Sequence, residues 1–151
     1  MIEVRHLLKS YGSNRVVDGI SFTVNEGEIL GFLGPNGAGK STTMRILAGF
    51  TPPTRGEVRV GGHDISQASI HARQLIGYLP ENIPLYRNMS VRPYLEFMAE
   101  IKMLSGVRLR ESVDHVLVET GLQEVSMRRI GNLSKGFRQR VCLAQALLGD
   151  P

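Results

Sequence analysis

Gly34-Pro-Asn-Gly-Ala-Gly-Lys-Ser41 reads as a glycine, four residues, a second glycine, a lysine and a serine, the spacing of a loop that cradles phosphate. The residues before it, Glu28-Ile-Leu-Gly-Phe-Leu33, form a short apolar run that predicts a strand buried on both faces. Those after it, 40–48, predict a helix that stops at Gly49, so the loop is expected to lead from strand to helix. In that setting the backbone N–H groups of the loop and first helical turn converge on an anion at the positive end of the helix dipole. Glycines allow the close approach, and Lys40 reaches the β and γ phosphates. The Ser41 hydroxyl completes the shell of a Mg²⁺ ion that keeps several waters, and Thr42 offers one more hydrogen bond to phosphate. Nucleotide binding is therefore the first functional expectation, carried by Gly34, Pro35, Asn36, Gly37, Ala38, Gly39, Lys40, Ser41 and Thr42. By itself the motif suits ATPases, GTPases and small-molecule kinases, and the chain has no Asn-Lys pair of the kind that reads guanine.

On the N-terminal side, β-branched stretches at 2–8 and 16–24, separated by the turn formers Tyr11-Gly-Ser-Asn14, predict an antiparallel pair. On the C-terminal side, Thr51-Pro-Pro-Thr-Arg-Gly56 predicts a turn and 58–60 a short hairpin strand before Gly61-Gly62. A helix is expected over 67–74 and a further strand over 76–79, ended by Pro80. Beyond Met89 the patterns are helical only. Ser90 is expected to cap a helix whose Val91, Tyr94, Leu95, Met98 and Ile101 share one face. Val113, Val116 and Leu117 mark a second helix ending at Gly121. Ser134 opens a third, which runs through Val141, Ala144 and Leu148 to a stop at Gly149-Asp-Pro151.

The 151 residues are the length of one ordinary domain, and a 42% apolar fraction with 17 glycines excludes disorder and collagen-like repeats. No run is apolar and long enough to span a bilayer, and Met-Ile-Glu-Val-Arg-His lacks a signal peptide's apolar stretch, so a cytosolic chain is expected. A single cysteine, Cys142, forms neither an internal disulfide nor a cysteine metal site. His6, His63, His71 and His115 show no metal-ligand spacing. The net charge is +4, with one basic stretch at 127–140 that holds Arg128, Arg129, Lys135, Arg138 and Arg140 and no carboxylate. Only Phe137 interleaves with these charges, so the stretch reads as a solvated face and no nucleic-acid partner is expected.

In family terms, the residues resemble the ATP-binding subunits of ATP-binding cassette (ABC) transporters over essentially the whole chain. Tyr11 is similar to the family's adenine-stacking aromatic, and residues 34–42 match its Walker A loop. Ile76-Gly-Tyr-Leu-Pro-Glu81 resembles the strand and loop that usually end in a Mg²⁺-sensing glutamine, here replaced by Glu81. Leu133-Ser-Lys-Gly-Phe-Arg-Gln-Arg140 resembles the signature Leu-Ser-Gly-Gly-Gln, with Lys135 for a glycine and Phe137 for the glutamine. A serine cap and bare N–H groups at that helix start make a second anion site, Ser134, Lys135 and Gly136.

The resemblance implies an α/β P-loop NTPase with an N-terminal antiparallel β portion and a helical arm. It implies one ATP-binding domain over 1–151: β portion and Walker A core at 1–83, helical arm at 84–133, signature helix at 134–149. It further implies ATP and Mg²⁺ as cofactors, Lys40 and Glu81 as catalytic residues, and Ser41 with Glu81 as metal ligands. The implied partners are a polytopic membrane permease and a second ATP-binding subunit in a homodimer, whose nucleotide the signature closes over. The implied place is the cytoplasmic face of the cell membrane, and the implied task is substrate movement, in the manner of a bacterial exporter branch. The family's second apolar strand ending in Asp-Glu and its downstream histidine are not in these 151 residues, so the domain is expected to be incomplete at its C-terminus and turnover by this stretch alone reduced. Two other readings stay open: a soluble ABC-type ATPase acting on nucleic acid or ribosomes, and a truncated chain that binds nucleotide without efficient turnover.

Overall fold

β1 (Ile2–Tyr11) does not follow a simple alternation of inward and outward side chains. Val4 and Leu7 are both buried, with Arg5 and His6 exposed between them. His6 has φ +48°, and the register of β1 slips between Val4 and Leu7 against β2 (Asn14–Val24) and between Arg5 and Leu8 against β3 (Arg55–Val60). A bulge of this kind adds a residue and restores the apolar side chains to the core face. Gly56 answers it from β3, because a Cβ there would lie 2.3 Å from the His6 carbonyl oxygen at a φ of +90°. With β4 (His63–Asp64) the strands form an antiparallel sheet in the order β2-β1-β3-β4. The computed structural model describes residues 1–66, 70–80 and 84–151.

Two compact units divide the chain, Met1–Ile76 and Gly77–Pro151. In the first, Val4, Leu7, Val17 and Val58 of the sheet pack with Ile65, Ala72 and Ile46, the last from α1 (Lys40–Leu47). That helix ends as expected at Gly49. The Gly49 and Phe50 N–H groups donate to the carbonyls of Ile46 and Arg45, the paired bonds of a Schellman motif. A short α2 (Ile70–Gln74) buries Ala72, and the expected start of this helix at Gln67 lies outside the described residues.

Two expected strands are absent. Residues 28–33 are irregular, with Ile29 97% and Leu33 93% exposed, while Phe32 packs its ring 5.7 Å from that of Phe22. Residues 76–79 are irregular as well. An apolar run specifies a preference for burial, but a strand exists only in a hydrogen-bonded ladder. Neither stretch finds a neighbouring strand among the described residues.

The second unit is helical: α3 (Val91–Ile101), α4 (Gly106–Glu119) and α5 (Lys135–Leu147), with 3-10 turns at Gln123–Val125 and Ile130–Asn132. Val91, Leu95, Val113, Val116, Leu117, Val141 and Ala144 pack in one core around Tyr94. Gly121 terminates α4 as expected, whereas α3 ends on Met103 in the left-handed region. Ser90 occupies the N-cap of α3, yet its hydroxyl accepts nothing from the helix. The Val91 and Arg92 N–H groups donate instead to the carbonyls of Arg128 and Ser126, so a backbone bridge does the capping that the sequence assigns to a side chain. At the far end of α5 the Lys102 ammonium donates to the carbonyls of Ala146 and Leu148, at 3.1 and 2.7 Å. This is a cation placed at the negative end of a helix dipole.

Tyr94 is 1% exposed and its hydroxyl donates to Gln145 Oε1. Burial, with smaller contributions from Cys142 and Tyr86, pushes its phenol up to about 12 from 10.0. The unfolded chain therefore loses this proton first as pH rises. The stabilisation is complete below pH 10 and is lost by about pH 12, at a slope of at most about 1.4 kcal/mol per pH unit. Urea denaturation of parent and Tyr94→Phe across that window is expected to show the alkaline loss in the parent and a flatter profile in the variant. Parallel profiles would remove Tyr94 as its source.

Candidate functional site

The glycine-rich loop is seated on β2. Gly39, at φ +84°, is the N-cap of α1, and a Cβ on it would lie 2.4 Å from the Val16 carbonyl oxygen and 3.1 Å from Val17 Cγ2. Only a residue without a side chain fits that approach. Upstream, the Ala38 N–H donates to the Pro35 carbonyl at 3.3 Å and closes a turn across Asn36 and Gly37. Thr43, buried one turn into the helix, donates its hydroxyl to the Gly39 carbonyl at 3.0 Å.

These contacts leave a specific set of groups free. Among the described residues, no backbone or side-chain atom accepts from the N–H groups of Gly37, Gly39, Lys40, Ser41 or Thr42. A helix start exposes such donors to solvent or to an anion. Lys40 folds back over the loop, its ammonium donating to the Gly34 and Pro35 carbonyls at 2.5 and 2.7 Å. That places a positive charge at the mouth of an unpartnered cradle of amides. Gly37 has open space where a Cβ would stand, and the Ser41 side chain is exposed. The cradle fits phosphate oxygens, and a single hydroxyl oxygen fits a Mg²⁺ ion that takes its other ligands from phosphate and water. Residues 34–42 contain no carboxylate and no imidazole, so they clamp charge and take no proton.

Tyr11 closes β1 at the hairpin turn and pairs with Asn14, two residues along β2 from the Val16 that supports Gly39. Two strand residues span roughly 7 Å, so the backbone that pairs with Tyr11 runs close to the seat of the loop. Tyr11 is 51% exposed, and the Lys9 ammonium sits over it at 4.9 Å from the ring centroid. Lys9 escapes a motif search. Its signal is the position of a lysine at an inward place in the apolar pattern of β1.

In the second unit, Ser134 caps α5 as expected: its hydroxyl accepts from the Phe137 N–H at 3.3 Å and its carbonyl from the Arg138 N–H at 3.0 Å. Lys135 and Gly136 are exposed. Two of the basic residues have internal roles, since Arg138 donates to the Leu133 carbonyl and Arg140 lies over the Phe137 ring at 5.4 Å. Glu81, the remaining expected site residue, lies outside the described residues.

A family profile described as ABC transporter matches residues 17–151. The chain is 37% identical over 151 residues to the protein named "Probable multidrug ABC transporter ATP-binding protein YbhF" of Escherichia coli (strain K12), all of this chain against 26% of that one. It is 39% identical over 150 residues to "Nod factor export ATP-binding protein I" of Rhizobium sp. (strain N33), 99% of this chain against 49% of that one. The structure superposes with TM-score 0.83 and 25% identity on a dimeric ATP-binding cassette in a post-hydrolysis state bound to ADP and Pi, covering 100% of this chain and 71% of that one. The chain thus spans half or less of these curated relatives' length.

Proposed function

This chain belongs to the ABC transporter family and has the fold of its ATP-binding cassette, a P-loop NTPase, and on that premise we propose that it is an ATP-binding subunit driving a partner membrane permease. The observation that carries the proposal is the set of N–H groups of Gly37, Gly39, Lys40, Ser41 and Thr42, unpartnered among the described residues, with the Lys40 ammonium folded over the loop. The cradle and Lys40 hold the β and γ phosphates, and the Ser41 hydroxyl ligates Mg²⁺ with Glu81. Tyr11 stacks on adenine. When bound, Mg²⁺ neutralises charge that develops on the transferring phosphoryl group. Lys40 supplies the fixed positive charge from the protein side. Residues 1–151 act as one ATP-binding domain, and the groups that activate the attacking water are supplied by segments other than 34–42.

Among the described residues no helix is long and apolar enough to cross a membrane. A polytopic membrane partner, with this subunit peripheral on the cytoplasmic face of the membrane, is the arrangement that the family reading favours. Export is the favoured direction, supported by the multidrug and Nod factor names of its relatives. Two subunits close over nucleotide, with Ser134, Lys135 and Gly136 of each meeting the phosphates held by its partner's loop. Support comes from the exposed capped start of α5 and from the dimeric state of the superposed cassette.

Sedimentation of the full-length protein with a non-hydrolysable Mg²⁺-ATP analogue tests this. Nucleotide is expected to drive dimerisation in the parent, and Ser134→Arg, which fills the capped helix start, to keep the protein monomeric. Dimers that form equally without nucleotide, or equally in the variant, would remove the signature helix from the nucleotide interface.

A further inference from the structure

Lys9 is 9% exposed, the one charged side chain buried among the described residues. None of the ion pairs there involves it. Its ammonium has two recorded partners: the Pro52 carbonyl, 2.8 Å away, and the face of the Tyr11 ring, 4.9 Å from the centroid. A lysine with so little exposure and no carboxylate beside it is costly, and an aliphatic side chain would fill the same space at lower cost. The charge therefore contributes something that packing does not.

Its two partners indicate what. Pro52 belongs to the segment that follows α1, the helix whose first turn forms the amide cradle. The same segment is fastened to β1 by the Thr54 N–H donating to the Leu8 carbonyl at 2.8 Å and by the Ser10 N–H donating to Thr54 Oγ1 at 3.0 Å. Lys9 thus ties the end of β1 to the connection leaving the phosphate-binding helix. On the other side, its charge engages one face of Tyr11, whose side chain is half exposed. A cation draws π density toward itself, which lowers repulsion between the opposite face and a stacked aromatic system.

We propose that Lys9 is a positioning residue for the purine: it grips Tyr11 from beneath, fixes the ring relative to the phosphate loop and presents the outer face to the base. This rests on Tyr11 being the base-stacking residue.

The test is calorimetric binding of Mg²⁺-ATP and of Mg²⁺-triphosphate, which lacks the base, to the full-length protein. Tyr11→Ala is expected to weaken ATP by between about fivefold and a hundredfold and to leave triphosphate unchanged. Lys9→Met is expected to weaken ATP by between about twofold and thirtyfold, again with triphosphate unchanged, and Lys9→Arg to retain most of the affinity. The double variant should bind ATP no more weakly than Tyr11→Ala alone. Lys9→Gln, which keeps a donor for the Pro52 carbonyl without the charge, should behave as Lys9→Met and carries the test if the methionine variant does not fold. Equal losses for ATP and triphosphate would make Lys9 merely structural and overturn the proposal. So would parental ATP binding in the Lys9 variants while Tyr11→Ala fails to bind. An unaffected Tyr11→Ala would overturn the stacking role of Tyr11 itself, and the Lys9 proposal with it.

Discussion

Lys40→Ala is expected to abolish most of the stabilisation that Mg²⁺-ATP confers on the protein. At a nucleotide concentration one hundred times the dissociation constant, the parent gains about 2.7 kcal/mol. A hydrogen bond from a charged group contributes about 1.5–3 kcal/mol, so its loss weakens binding by roughly ten- to one-hundred-and-fifty-fold. At the same concentration the variant then gains only about 0.3–1.3 kcal/mol. The lysine also bridges the Gly34 and Pro35 carbonyls, so the nucleotide-free variant needs its own melt to separate a loosened loop from a lost ligand contact. Equal nucleotide-induced shifts in parent and variant would remove Lys40 from the site.

Gly39→Ala carries the second large effect, and it acts through the fold. At φ +84° any L side chain meets left-handed strain of about 1–2 kcal/mol. The new Cβ would also meet the Val16 carbonyl oxygen at 2.4 Å, a clash with backbone that no rotamer relieves. Overpacking of that kind adds about 1–3 kcal/mol, giving a total destabilisation of roughly 2–5 kcal/mol. Gly37→Ala is the matched control, since its φ of +85° is nearly the same but nothing lies within 4 Å of the added Cβ. Urea denaturation should show Gly37→Ala losing only the smaller strain contribution. If the two variants unfold alike, the seat of the loop on β2 is not what fixes the cradle.

The β1/β2 hairpin, the phosphate loop, the three long helices and the stops at Gly49 and Gly121 are legible in the sequence because each depends on residues close together in the chain. Gly12-Ser13 turns the hairpin within two residues, and the Gly49 stop rests on bonds to Ile46 and Arg45. What the sequence conceals depends on partners far along the chain. Ser90 precedes an apolar helix as a cap should, but residues 126–128 arrive to satisfy the same N–H groups with carbonyls. Residues 28–33 have a strand's composition and no ladder to join among the described residues. The bulge at His6 has no signal in the His6 side chain itself. It follows from the need to return Leu7 to the core, and it becomes visible only once Gly56 stands opposite.

The candidate site divides along the same line. The loop residues are found by spacing alone, and their chemistry depends on backbone N–H groups that every residue there possesses. Lys9, whose ammonium lies against the Tyr11 ring, carries no motif, and its place follows from contacts with Pro52 and Tyr11.

Amide hydrogen exchange on the full-length protein, with and without Mg²⁺-ATP, reads the individual N–H groups of the phosphate loop. Gly37, Gly39, Lys40, Ser41 and Thr42, unpartnered among the described residues, are expected to exchange fast without nucleotide and to be protected when it binds. The same protection should be largely absent in Lys40→Ala at equal nucleotide concentration. Nucleotide binding that protects amides elsewhere and leaves Gly37, Gly39, Lys40, Ser41 and Thr42 exchanging freely would contradict phosphate binding by the loop.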